Sequence, residues 1–212
     1  MKKIIIALFA LVSPVLVMAQ NPQYENAMKG FLMKMSSAKS PEAYQAVANA
    51  FERMANTETK EWLPRYYAAF NYIMQAYTTS EKDKVDAILD QADKHLEQAG
   101  TLTQSEEVLC LSAWCKSARI NVDPMSRGAK YGREAALLLE QAKKVNPNNP
   151  RIYFLQGQSA FYTPEAFGGG KNKAKELFQK AIELYGTFQV QNEFMPNWGA
   201  EQAKDMLAKC GQ

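Results

Sequence analysis

The sequence predicts an all-α protein built as a stack of antiparallel helix hairpins. After the first 20 residues, apolar side chains recur at spacings of three and four along the chain, which is the period of a helix with one buried face. Clusters of proline, glycine and asparagine interrupt this period at short intervals, as connections between helices do. Because each hairpin buries only one apolar face, neighbouring hairpins must cover one another.

Nine helices are predicted, each with its own apolar stripe. The stripes begin at Tyr24, Ala43, Trp62, Val85, Val108, Tyr131, Ile152, Ala174 and Trp198. Ser40 precedes a first-turn proline and is a typical N-cap for the second helix. Gly100 is predicted to end the fourth helix, and Thr103 with Glu106 has the spacing of a capping box for the fifth. The asparagine- and proline-rich run 146–150 separates the sixth helix from the seventh.

Residues 1–19 have the layout of a secretory signal peptide. Lys2 and Lys3 give a positive start, an apolar run follows, and cleavage is predicted after Ala19. The apolar run is short for a hydrocarbon core of about 30 Å, so a retained membrane anchor is the weaker alternative. The predicted mature chain, residues 20–212, is one helical repeat domain that is periplasmic or secreted and has no membrane span.

The net charge of the chain argues against one class of partner, and the surroundings of its cysteines favour one state of the thiols. The formal net charge of +3 includes Lys2 and Lys3, so the mature chain is close to neutral. A nucleic-acid partner is therefore not predicted, because phosphate binding needs concentrated positive charge. Cys110, Cys115 and Cys210 lie among apolar neighbours, which favours buried free thiols. A disulfide between Cys115 and Cys210 is the open alternative for an exported chain.

Two of the later helices share a second pattern of small and bulky residues. The residues that carry it are Ala135, Leu139, Ala142 and Pro147 in the sixth helix and Ala174, Phe178 and Ala181 in the eighth. This spacing resembles the second helix of tetratricopeptide repeats, in which small residues lie where helices cross closely. Tyr153 and Gly157 match the first helix of the same repeat. The resemblance implies a right-handed superhelical, tetratricopeptide-like α-solenoid.

No constellation of side chains predicts catalysis, a metal site or a cofactor. His95 is the single histidine of the sequence, which excludes sites with two histidines, and its charged neighbours predict a solvated surface position. The glycine-rich run 168–171 lacks a phosphate-loop signature, since Glu165 and Asn172 occupy the positions that the signature reserves for glycine and Ser or Thr. We expect this run to be an extended turn whose Phe167 packs into the core.

The resemblance to tetratricopeptide repeats implies a concave face that holds a protein or peptide. Off-stripe residues of the first helices are the candidates for partner binding: Tyr67, Asn71, Arg119 and Gln158. The leading hypothesis is a non-enzymatic exported scaffold that binds a protein or peptide partner in the cell envelope. The alternatives are a small-ligand-binding protein, an accessory subunit of an envelope enzyme, and a protein that acts through self-assembly.

Overall fold

A computed structural model of the chain describes residues 21–211, and in this range it contains nine α-helices, two 3-10 turns and no strand. The helices are α1 (Pro22–Ser37), α2 (Pro41–Thr57), α3 (Leu63–Thr78), α4 (Val85–Leu102), α5 (Glu106–Ile120), α6 (Pro124–Val145), α7 (Pro150–Tyr162), α8 (Lys171–Thr187) and α9 (Ala200–Cys210). The 3-10 turns are Lys82–Lys84 and Glu165–Phe167. The predicted all-α class is confirmed, whereas the predicted signal peptide lies outside the described residues.

The helices pack as sequential antiparallel pairs in two layers. Helix α3 pairs with α4, α5 with α6, and α7 with α8. In addition, α3 contacts α5, α5 contacts α7, and α7 contacts α9. These contacts make α3, α5 and α7 an inner layer of parallel helices, and their pair partners α4, α6 and α8 form the outer layer.

Helix starts follow the sequence signals closely. The N-cap side chains Asn21, Ser40, Ser105, Asp123 and Asn149 each accept a hydrogen bond from a backbone N–H of the first turn. This bond satisfies one of the donors that a helix start leaves without an intrahelical partner. Proline stands in the first turn of five of the described helices, where its missing N–H costs little.

The predicted boundary between the fourth and fifth helices is wrong by a few residues. Gly100 lies inside α4, which continues to Leu102 and ends at an extended Thr103. Ser105, and not Thr103, is the N-cap of α5. Glycine ends a helix by adopting a positive φ, and in the described chain only Gly168, Gly170 and Gly199 do so. Gly100 therefore does not use the positive φ that glycine can adopt. The polar residues after Leu102 end the helix instead.

Two apolar cores lie between the layers, and the half-buried Trp114 packs against both. One core joins α1 to α5, and the other joins α5 to α9. The six helical alanine, leucine and phenylalanine residues of the repeat-like pattern are all buried in the second core. Gly157 lets α7 approach α8 closely, because a Cβ on Gly157 would lie 2.7 Å from two carbons of the Phe178 ring.

An irregular segment between α8 and α9, residues 188–199, crosses the inner layer, and we call it the strap. Three side chains of the inner helices fix it. The bonds run from Tyr67 Oη to Phe194 O (2.6 Å), from Trp198 Nε1 to Tyr66 Oη (2.7 Å) and from Arg151 Nη2 to Pro196 O (2.5 Å). Because these contacts involve the first turns of α3 and α7, the strap covers the N-terminal part of the inner face. The C-terminal part stays open.

Two side chains have the opposite exposure to solvent from the one predicted. His95 is 1% exposed and stacks on Tyr72 with ring centroids 5.9 Å apart, because its face of α4 turns toward α3. Burial lowers its pKa, although the nearby Glu52 acts in the other direction. Phe167 is 81% exposed, since the backbone of Gly170 closes the turn by donating to the carbonyl groups of Ala160 and Thr163 and leaves the ring outside.

The three cysteines, all in the described range, are free thiols. Cys110 and Cys115 are fully buried, as predicted. Cys210 is half-buried and its Sγ contacts the carbonyl oxygen of Met206 at 3.4 Å. The alternative of a disulfide between Cys115 and Cys210 is not realised in this structure.

Candidate functional site

The four residues predicted to bind a partner are placed differently from one another. Tyr67 is 3% exposed, Asn71 is 0% exposed and Arg119 is 7% exposed. The expectation that these three lie on an open surface is wrong, because the strap and the neighbouring helices cover the off-stripe face of α3 and α5. Gln158 on α7 is half-exposed. Partner binding by these four residues stays a prediction.

Each of the three buried candidates makes an internal contact. Asn71 Nδ2 donates to the carbonyl of Tyr67 one turn earlier, at 2.8 Å. Arg119 forms ion pairs with three aspartates of α4, at distances of 3.3 Å to Asp86, 2.7 Å to Asp90 and 2.8 Å to Asp93. Arg119 therefore joins α5 to α4, whereas the contact of Asn71 stays within α3.

The open part of the inner face is lined by aromatic rings, and we call it the aromatic cleft. Its members are Phe70 and Tyr77 of α3, Trp114 of α5, Phe161 and Tyr162 of α7, and Trp198 of the strap. The indoles of Trp114 and Trp198 stack at a centroid distance of 4.9 Å. Phe70 contacts both indoles, at 5.8 and 5.9 Å, and Tyr77 lies 5.8 Å from Trp114. The cleft thus has a continuous π-surface as its floor.

Two tyrosines at the ends of their helices open this floor to solvent. Tyr77 is 42% exposed and Tyr162 is 74% exposed. Desolvation by the surrounding rings raises the pKa of Tyr77 to about 12, and the nearby Tyr162 adds to the rise. The phenol of Tyr77 is consequently neutral at pH 7. Aromatic faces presented on rigid helices stack well with flat conjugated ligands.

Polar groups lie at two edges of the cleft. Beside Tyr77, a small cavity of about 230 Å³ is lined by Lys82 and Asn121 among apolar neighbours. On the opposite side, Gln158 lies one turn before Tyr162 and so shares its face of α7. This arrangement suits a flat ligand whose rim carries an anionic or hydrogen-bonding group.

The cleft offers little to a metal ion by itself. Among residues 21–211, no group of three or more histidine, cysteine, aspartate or glutamate side chains could hold one. His95 lies on the far side of α3, where its ring stacks on Tyr72. In the same range, no helix is long and apolar enough to cross a membrane.

Comparison with solved structures reveals a relative over nearly the whole chain. The HusA haemophore from Porphyromonas gingivalis superimposes with a TM-score of 0.81 and is 35% identical, and the match covers 91% of this chain and 95% of the other. The chain belongs to the HusA haemophore family. No protein-family model and no curated protein sequence match the chain. Membership of the HusA family accounts for the order and pairing of the helices.

The cleft of this HusA-family protein does not follow from the helical period of its sequence. Tyr77, Trp114 and Trp198 lie at helical spacing on the apolar stripes that begin at Trp62, Val108 and Trp198, and this spacing predicts core positions for them. A signal was nevertheless present, since Tyr77 and Tyr162 both occupy the last turn of an inner helix. Helix period alone does not separate a ring inside a core from a ring at its open edge, because both lie on the apolar face.

Proposed function

We propose that this protein binds haem in the aromatic cleft and acts as a carrier without catalysis. The observation that carries the proposal is the solvent-open stack of Tyr77, Trp114 and Trp198 on the inner face of a HusA-family chain. A porphyrin is a flat, largely apolar ring, and it gains from contact with several aromatic faces at once. The proposal corresponds to the small-ligand alternative of the sequence analysis more closely than to a protein-binding scaffold.

The residues around the cleft fit a porphyrin in shape and charge. The strap closes one end of the inner face, so the ring plane would lie above α5 between Tyr77 and Tyr162. Lys82 lines the cavity next to Tyr77 and is placed to pair with a propionate of the porphyrin rim. Since the pKa of Tyr77 is about 12, its neutral ring adds no negative charge that would repel the propionates.

The iron would not meet a histidine in this cleft. The single histidine of the sequence is His95, which is buried with its Nε2 3.7 Å from Glu52. Tyrosine is also known as an axial ligand of haem, and Tyr77 and Tyr162 supply the phenolic oxygens of the cleft. A neutral phenol is a poor ligand until it loses its proton, so we expect ring stacking to supply most of the affinity.

Export is part of this proposal. The signal-peptide layout of residues 1–19 supports release into the periplasm or the medium after cleavage behind Ala19. A haem carrier must be able to release its haem and needs no catalytic group. This agrees with the absence of a catalytic motif in the sequence. N-terminal sequencing of the secreted protein tests the cleavage site.

The tetratricopeptide-like character of the helix pairs is likewise proposed. It is supported by the complete burial of Ala174, Phe178 and Ala181 and by the close approach of Gly157 to the Phe178 ring. Both features match the small-and-bulky pattern that the sequence shares with these repeats. On this interpretation the inner helices form the ligand-binding face, and Gln158 remains a candidate at the edge of the cleft.

Haemin titration tests the function directly. We expect a Soret band shift and quenching of tryptophan fluorescence on stoichiometric binding, and roughly tenfold weaker binding for each of Tyr77→Ala and Tyr162→Ala. Tyr131→Ala is the matched control, because Tyr131 is a half-exposed tyrosine on the outer helix α6. Equal affinity of the wild type and the Tyr77→Ala/Tyr162→Ala double variant would refute the cleft as the site.

A further inference from the structure

A second groove lies at the other end of the inner face, on the far side of the strap from the aromatic cleft. Its volume is about 550 Å³, within the range of ordinary ligand sites. It is lined by residues 188–192, 195 and 196 of the strap, residues 61–63 at the start of α3, residues 103–107 at the start of α5, and Asn146. The proposed haem site does not include it.

The walls of this groove combine carboxylates with apolar side chains. Glu61, Glu106 and Glu107 line it, and none of its lining residues is a lysine or an arginine. Its apolar part consists of Trp62, Leu63, Phe188, Val190, Met195 and Pro196. Such a groove disfavours the propionates of a porphyrin and favours a cation attached to an apolar group.

Glu107 gives the groove an unused acceptor. The residue is 2% exposed, and its Oε1 accepts from Asn149 Nδ2 at 2.7 Å and from Arg151 Nη1 at 2.9 Å. Its Oε2 is buried and has no hydrogen-bond partner among the residues that the structure describes. A buried acceptor without a partner is costly, so a donor that enters the groove gains by reaching it.

The strap lines the groove with backbone groups that have no backbone hydrogen-bond partner in the described chain. Residues 188–190 follow the end of α8 in irregular conformation, with Phe188 extended at φ −69° and ψ 122°. Their backbone N–H and C=O groups form no backbone hydrogen bond with another described residue. Backbone groups without partners, next to an extended residue, are groups with which an added peptide strand can pair.

We propose that the groove binds an extended peptide segment of a protein partner that carries a lysine or arginine. The basic side chain lies among Glu61, Glu106 and Glu107, and an adjacent apolar side chain rests on Trp62. The peptide backbone pairs with residues 188–190. This places a protein partner on the opposite side of the strap from the haem, so both ligands can be bound together.

NMR titration of the full mature chain tests the proposal, because its three tryptophans report on the two sites separately. With the probe acetyl-Leu-Lys-Leu-Arg-Leu-amide, we expect the indole resonance of Trp62 to shift and those of Trp114 and Trp198 to stay. Haemin should do the reverse, so loss of one response leaves the other interpretable. The proposal would be overturned if the indole resonance of Trp62 did not shift. It would also be overturned if a peptide with glutamate in place of its lysine and arginine produced an equal shift.

Two pairs of glutamine substitutions distinguish the loss of charge in the groove from a general effect of charge on the protein. We expect Glu61→Gln/Glu106→Gln to weaken peptide binding by at least tenfold. The matched control Glu97→Gln/Glu176→Gln removes the same charge from exposed positions on α4 and α8 and should bind as the wild type does. If both pairs weaken binding equally, or if 1,5-diaminopentane binds as tightly as the peptide, the groove is not a peptide site.

Discussion

The guanidinium of Arg151 lies 2.9 Å from the carboxylate of Glu107, and both side chains are almost completely buried. The same guanidinium donates to the carbonyl of Pro196 and lies 5.2 Å from the ring centroid of Trp198. One side chain therefore joins α5, α7 and the strap. Burial raises the pKa of Glu107, although Arg151 and Asn149 oppose the rise.

Removing Arg151 should destabilise the protein strongly. In Arg151→Met, the buried carboxyl of Glu107 loses its charged partner, and we expect the free energy of unfolding to fall by about 3–5 kcal/mol. Arg151→Met/Glu107→Leu removes both charges and should recover part of this loss. Urea unfolding followed by circular dichroism measures both variants. A double variant that is less stable than Arg151→Met would show that the pair is not the cause.

The ion pairs of Arg119 should make stability depend on pH in the acid range. Hydrogen bonds from Arg127 chiefly lower the pKa of Asp86. Desolvation acts to raise the pKa of Asp93, but hydrogen bonds from Lys116 and Arg119 outweigh it and the pKa is lowered. A carboxyl whose pKa is lower in the folded state stabilises the protein above its unfolded pKa of about 4 and loses this contribution as the pH falls further.

We therefore expect Arg119→Met to cost about 2 kcal/mol at pH 7 and clearly less at pH 3. Urea unfolding at pH 7, 5 and 3 measures the difference. Lys84→Met is the control, because its ion pair with Glu81 is exposed to solvent and should contribute little to stability at any pH. A cost of Arg119→Met that is the same at all three pH values would contradict this assignment.

Sequence reasoning was sufficient for the helices and for their pairing. The signals there are local, as in the side-chain cap of Ser40 on α2 or the apolar stripe of α4. Gly100 was misplaced because a glycine ends a helix only if the following turn uses its positive φ. His95 was misplaced because charged sequence neighbours do not reveal which face of α4 turns toward α3.

The candidate site required tertiary information. The strap has no helical period, so its crossing of the inner face follows only from long-range contacts such as that between Tyr67 and Phe194. Those contacts bury Tyr67, and the path of the strap decides that Trp198 stacks on Trp114 at the edge of the open cleft. Tyr67, which was predicted at the surface, is therefore in the core. Trp114 and Trp198, which were predicted in the core, form the floor of the cleft.

The close crossing of α7 and α8 gives a test of the repeat-like packing. In Gly157→Ala the new methyl group would lie 2.7 Å from the Phe178 ring, and we expect a loss of about 1–3 kcal/mol in the free energy of unfolding. Phe178→Leu in the same chain should relieve the contact. The control is Gly132→Ala on α6, where nothing lies within 4 Å of the added atom and where alanine should stabilise the helix. Equal effects of both alanines would argue against a tight crossing.

Metal-free protoporphyrin should bind nearly as well as haem. The cleft supplies aromatic faces and a cation near its edge, whereas the single histidine is 1% exposed behind α3. If stacking provides most of the affinity, removing the iron should weaken binding by less than about tenfold, or about 1.4 kcal/mol. Competition between the two porphyrins, followed by tryptophan fluorescence, measures the ratio. His95→Gln should leave haem affinity and the Soret maximum unchanged, whereas a hundredfold preference for haem that Tyr77→Phe abolishes would mean that Tyr77 binds the iron and that stacking is secondary.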